Sequence, residues 1–159
     1  MTRSPHARFW ASLTIAFLLQ LVALPEAIAA ARPLWIPLVL GYWALEEPRV
    51  PTLLAAFLSG LMLDVLYNTV LGQHAAGLLL LVYSVIRLRS VFVLFPLWQS
   101  TVALAPAWAG YCLLMMLIDN LALHRADPLL RWLPAVSSTL FWPLVHTVLD
   151  GHSRRSRSD

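Results

Sequence analysis

"GLMLDVLYNTVLGQHA", Gly60 to Ala75, sets a carboxylate (Asp64) and an imidazole (His74) between two apolar runs, with Gly60 and Gly72 on either side of the polar residues. The flanking runs, Pro51–Leu66 and Gln73–Leu88, approach the roughly 17–25 apolar residues that cross a bilayer as a helix. The stretch therefore reads as a tight turn between two helices. The same ruler finds four more candidate spans: Phe9–Leu24, Pro33–Leu45, Ser100–Leu123 and Leu130–Leu149. The second is short for a crossing, so a locally thin bilayer or a start before Arg32 is expected. Its Trp35, Tyr42 and Trp43 are expected to anchor at the interface, and Pro106 to kink the fifth span.

Composition carries the same message. The 159 residues are 60% apolar and 12% charged, with mean hydropathy +0.73. A soluble domain has roughly 45–50% apolar and about 25% charged residues. A core of this size cannot bury the surplus, which must face lipid. The expected fold is an all-α integral membrane bundle of six transmembrane helices, residues 1–152, followed by a disordered basic tail, 153–159. The charge of +3 and pI near 9.6 come from eleven arginines without a lysine. They read as topology signals, since no aromatic-rich RNA motif, basic helix or zinc-finger spacing accompanies them. Nucleic acid is not an expected partner. Phe9–Leu24, behind Arg3 and Arg8 and before "AIAAA" (Ala27–Ala31), resembles a signal peptide, but its 16 residues exceed a usual apolar region and an uncleaved helix is expected.

Arginine placement orients the bundle, because cytoplasmic ends retain positive charge. With both termini inside, Arg3, Arg8, Arg49, Arg87, Arg89, Arg154, Arg155 and Arg157 lie in the cytoplasm, against Arg32, Arg125 and Arg131 outside. The segment "SVFVLFPLWQ", Ser90–Gln99, then falls on the cytoplasmic side, and its aromatics and proline suggest a strip lying in the interface. The short outer loops leave membrane lipid and neighbouring membrane proteins as the surfaces this chain meets.

An ionisable residue within a span is a functional candidate by default. Asp64 fits three roles: bonding the turn or capping the next helix, meeting a partner or lipid, or handling a proton or substrate. His74 is its nearest donor in sequence. Small residues Ser59, Gly60, Ala75, Ala76 and Gly77 are expected to bring the third and fourth helices close, and Gly72 to supply a turn conformation that other residues resist. Asp119–Asn120 ends the fifth span as Asp64 ends the third, so two carboxylates either share a cation or proton path or both stand at the water boundary. His146 and Asp150, one turn apart, are expected to pair. His124 and Asp127 lie in another loop, and no HxxxH or HxxE spacing occurs. Neither a metal nor a cofactor is expected. Cys112 is alone in an apolar run and reads as a filler. There is no GxSxG elbow, Ser–Lys or Cys–His arrangement, nor a glycine-rich phosphate loop, so no catalytic residue is assigned.

Four stretches taken in order, "RPLWIPLVLGYWAL" (Arg32–Leu45), Gly60–Ala75, "FPLWQS" (Phe95–Ser100) and "WLPAVSSTLFWPL" (Trp132–Leu144), resemble the rod shape-determining MreD family. Ser100 stands where that family usually has a second glutamine. The resemblance implies a non-enzymatic inner-membrane component of the machinery that directs lateral peptidoglycan synthesis. Its direct partner would be MreC, with RodA, a class B penicillin-binding protein and MreB in the same complex. The implied fold resembles the six-helix substrate-binding subunits of vitamin importers. The family's most characteristic turn falls on Asp64, Gly72, Gln73 and His74, and its cytoplasmic strip on Phe95, Pro96, Leu97, Trp98 and Gln99. Helix pairing with MreC is expected to satisfy polar groups such as Ser59 or Asn120. The alternative is an importer subunit with an outward pocket at the Asp64 and Asp119 end; a membrane enzyme acting on a lipid-linked precursor lacks an acid and base placed together.

Overall fold

Proline, glycine and asparagine set most of the helix ends. The computed structural model describes residues 5–25, 29–92, 94–121 and 130–158 (backbone only for 121 and 152–158), and its first helix is α1 (Pro5–Leu21). Pro33 and Leu34 precede α2 (Trp35–Glu46), and Pro51 precedes α3 (Thr52–Tyr67). Gly72 precedes α4 (Gln73–Phe92), and Pro96 precedes α5 (Leu97–Leu121). A 3-10 turn, Leu130–Trp132, leads into α6 (Leu133–Ser158), which carries helical backbone into the basic tail. Proline suits these positions because its missing N–H falls among the unpaired donors of a first turn. The described residues form six α-helices without a strand.

Two helices, Gln73–Phe92 and Leu97–Asn120, are long and apolar enough to cross a membrane, and Thr52–Tyr67 is a shorter apolar helix. Pro106 lies inside α5 and Pro143 inside α6.

Helix α2 lies inside the bundle. All ten residues from Ile36 to Leu45 are buried, as expected of a helix that is apolar on every side. It is the central helix, packed by α1, α3, α4 and α6. Tyr42 and Trp43 are therefore core residues and not the interface anchors expected from sequence. The Trp43 indole N–H donates to Ser12 Oγ at 2.9 Å, and that hydroxyl donates to the Phe9 carbonyl at 2.8 Å, which fixes α1 on α2. Gly41 faces two fully buried indoles, Trp108 and Trp142, whose rings lie 5.8 Å apart; a Cβ at Gly41 would stand 3.0 Å from Trp108.

Two backbones approach closely between α3 and α4, at Gly60. A Cβ built on Gly60 would lie 2.2 Å from Ala75 Cα and 2.4 Å from its nitrogen. Ser59 is buried beside it. Gly77, expected to serve the same contact, instead faces α5, where a Cβ would meet Met115 and Tyr111.

Candidate functional site

α3 closes where Asn68 takes the left-handed conformation (φ 51°, ψ 41°). This lets the Thr69 N–H donate to the Asp64 carbonyl at 3.0 Å and the Asn68 N–H to that of Val65 at 3.4 Å, the usual closure of a helix end. The chain then returns within three residues to Gly72 (φ 96°), a backbone region that favours glycine.

The turn sets the Asp64 side chain against the start of α4, where N–H groups have no helical acceptor. Gly72 N–H donates to Oδ2 at 2.7 Å, and His74 N–H donates to Oδ1 at 2.8 Å. The Thr69 hydroxyl adds a bond to Oδ1 at 3.1 Å. His74 Nδ1 also lies 2.8 Å from Oδ1, within hydrogen-bond distance of the carboxylate. The side chain of Asp64 is 0% exposed. A carboxylate from one helix thus caps the next, at the end where the helix dipole favours negative charge.

The second carboxylate is reached through the neighbouring residue of α4. Gln73 Nε2 donates to Asp119 Oδ1 at 2.7 Å, and Arg131, just before α6, pairs with Oδ2. Asp64 and Asp119 each bond a separate set of donors, Asp64 at the start of α4 and Asp119 at Gln73 and Arg131. Asn120 is exposed beside them. Gln20 of α1 joins this end by donating to the Tyr67 hydroxyl at 3.2 Å, and Arg32 donates to the carbonyls of Gln20 and Val22, satisfying the end of α1. A cavity of about 350 Å³ lies alongside, lined by Gln20, Tyr67, His74, Tyr111, Met115 and Arg131 among others. His124, Arg125 and Asp127 fall outside the described residues.

At the opposite end, the expected interfacial strip is not a separate segment. Helix α4 runs to Phe92 and α5 begins at Leu97, so most of Ser90–Gln99 belongs to helix ends; Val93 is outside the described residues. Phe95 packs edge-on against Phe92 at 6.2 Å, and Gln99 is half-buried, while Pro96 is exposed. Leu94 and Trp98 are 82% and 71% exposed. Ser100, the departure from the family pattern, bonds the Leu97 carbonyl within the first turn of α5.

A second cavity, about 370 Å³, lies at this end between Glu46, Arg89, Phe95, Trp142, His146 and Asp150. His146 Nε2 stands 3.6 Å from Glu46 Oε1, so it reaches α2 across the bundle, a contact not foreseen by pairing it with Asp150. The His146 imidazole holds the Glu46 carboxyl below its ordinary value, with Arg89 adding to the effect against partial burial.

Across the described residues no three His, Cys, Asp or Glu side chains gather as metal ligands. What the Asp64 cluster does is tie helices together. Residues 6–150 match the family described as rod shape-determining protein MreD. The chain belongs to the MreD family. It is also 30% identical, over 138 residues, to the rod shape-determining protein MreD of Haemophilus influenzae (strain ATCC 51907 / DSM 11121 / KW20 / Rd), covering 85% of this chain and 83% of that protein. No solved structure matches. MreD is a shape-determining family and not a known enzyme family, and its membership leaves the importer-subunit alternative unsupported.

Sequence reasoning missed Arg131, Thr69, Glu46 and Gly41. Thr69 was within reach, since a hydroxyl five residues after Asp64 lies in the same turn. The other three act across contacts that no local spacing announces.

Proposed function

We propose that this MreD-family chain is a multi-pass scaffold of the bacterial inner membrane, with six spans and both termini in the cytoplasm, that binds the transmembrane helix of MreC. Through MreC it joins RodA, the class B penicillin-binding protein and MreB in lateral wall synthesis and rod-shape maintenance. Residues 1–152 act as one domain, with the basic residues 153–159 forming its cytoplasmic tail. Family membership supports the role in rod-shape determination.

The observation that carries the reading is how polarity is distributed. Asp64 and Asp119 are taken up by donors of the same chain, while α3 turns Leu54, Phe57, Leu58, Met62 and Val65 outward. A molecule built this way acts through lateral contacts more readily than through a reacting group. Exposed apolar surface of this extent marks lipid or a protein neighbour. Between helices in lipid, small residues and polar groups provide the association. Exposed Asn120 fits that role, whereas Ser59 is buried inside the bundle and is withdrawn from it.

Trp98 is the second candidate contact. Truncating a buried aromatic anchor of an interface costs about 2 kcal/mol or more. Trp98→Ala is expected to weaken recovery of the cognate MreC with the tagged chain by roughly thirtyfold in affinity. Unchanged recovery and normal rod shape in that variant would remove Trp98 from the interface.

A further inference from the structure

Helices α1 and α6 both pack on α2 but are not substantially packed on each other. Between them lies an open groove of about 310 Å³, floored by Trp35 and Val39 and walled by Ile15, Leu19, Leu144 and Val148. Its lining is almost wholly apolar, and its one hydroxyl, Ser12, is already committed to Phe9 and Trp43.

One end of the groove carries a cation. Arg8 precedes Ser12, Ile15 and Leu19 on the same face of α1, at helical spacings of four, seven and eleven residues. Its Nη2 lies 3.5 Å from the carbonyl of Leu149, itself a groove residue, and its guanidinium stands over the Trp43 ring at 5.8 Å. Among the described residues no carboxylate pairs with it; it is half-buried.

From this arrangement we infer that the α1–α6 groove is a binding site for one anionic phospholipid of the leaflet that Arg8 faces, with an acyl chain in the groove and the phosphate at Arg8. The inference rests on the membrane-spanning reading above. Arg8 to Leu19 spans about 16 Å at a rise of 1.5 Å per residue. That is close to half of the roughly 30 Å hydrocarbon core, the depth one acyl chain covers. The branched walls of Ile15, Leu19 and Val148 prevent the close backbone approach that a partner helix would use, and the groove offers it no free polar group. A flexible chain is not bound by either requirement.

The test is native mass spectrometry of the full chain, extracted in detergent and equilibrated with micelles containing phosphatidylglycerol or phosphatidylcholine. The wild type is expected to retain one phosphatidylglycerol, preferred over phosphatidylcholine by about fivefold, the effect of one arginine near an anionic lipid surface. Arg8→Gln should bring the preference near unity while leaving acyl retention. Leu144→Trp, which fills the groove from an exposed position on α6, should remove retention of both lipids. Equal retention of both lipids by the wild type overturns the headgroup assignment. An adduct that survives Leu144→Trp overturns the groove. Thermal midpoints of both variants report folding; should either fail to fold, the wild-type lipid preference decides the headgroup and Val148→Trp replaces the groove variant. MreC recovery is measured in parallel: its loss through Leu144→Trp, with no lipid on the wild type, assigns the groove to a helix and overturns the inference. Absence of MreC from the wild type with the lipid retained counts against the scaffold reading alone.

Discussion

Gly60→Leu is expected to leave no folded protein in the membrane fraction, and Gly60→Ala to lower stability by about 3 kcal/mol, the upper part of the usual range for overpacking. The reason is which atoms are struck. A Cβ at position 60 falls 2.2 Å from a Cα and 2.4 Å from a backbone nitrogen of Ala75, and backbone cannot turn aside as a side-chain end can. Relief requires α3 and α4 to separate, and separation also draws Asp64 away from Gly72 and His74. The gain in helix propensity of alanine over glycine, about 1 kcal/mol, offsets only part of this. Gly110→Ala supplies the contrast. Its Cβ would meet nothing within 4 Å, so the propensity gain stands alone and the variant should be neutral or up to about 1 kcal/mol more stable. Thermal unfolding in detergent, read by loss of the monodisperse peak in gel filtration, compares the three.

The second large effect is at Asp64. Asp64→Ala leaves the Gly72 and His74 amides, the Thr69 hydroxyl and the His74 ring without their acceptor in a buried site. Removing one partner of a buried ionic cluster typically costs about 3–5 kcal/mol, and several orphaned donors place this case toward the upper figure. Asp64→Asn keeps one acceptor but turns an amide donor toward other donors, so about half the loss is expected. His74→Ala removes one contact and leaves the carboxylate its backbone donors and Thr69; about 1–2 kcal/mol should be lost. The order Asp64→Ala worst, Asp64→Asn intermediate and His74→Ala mildest is the signature of a cap. A proton-handling role would put Asp64→Asn and His74→Ala together, both losing function with their fold intact.

These two sites show which parts of the structure could be read in the sequence. The helix–turn–helix at Gly60–Ala75 was legible because its parts are local: two apolar runs, an asparagine and a glycine suited to left-handed backbone, and an acid within reach of the next helix start. Its partner pairing Asp119–Arg131 was not, because the two residues close a loop whose path the sequence does not give. Gly77 was assigned to the wrong neighbour for a related reason. Small residues at helical spacing say that something approaches closely, not which helix, and here it is α5. Tyr42 and Trp43 were misread because an aromatic near the end of a short apolar run has the same sequence signature at an interface as in a core. What separates them is that α2 is surrounded by four helices. The Glu46–His146 contact joins residues a hundred positions apart and is purely tertiary.

The fold and the proposed role meet in one idea: this chain uses its carboxylates to hold its own helices in place and presents an apolar exterior to a partner's helix. The most direct measurement is affinity recovery of MreC by the tagged chain from co-expressing membranes, with the transmembrane helix of MreC either native or replaced by an unrelated apolar helix of equal length. The account predicts stoichiometric recovery of native MreC and loss of the helix-swapped form, with the periplasmic part of MreC unchanged in both. Equal recovery of the two forms would contradict it.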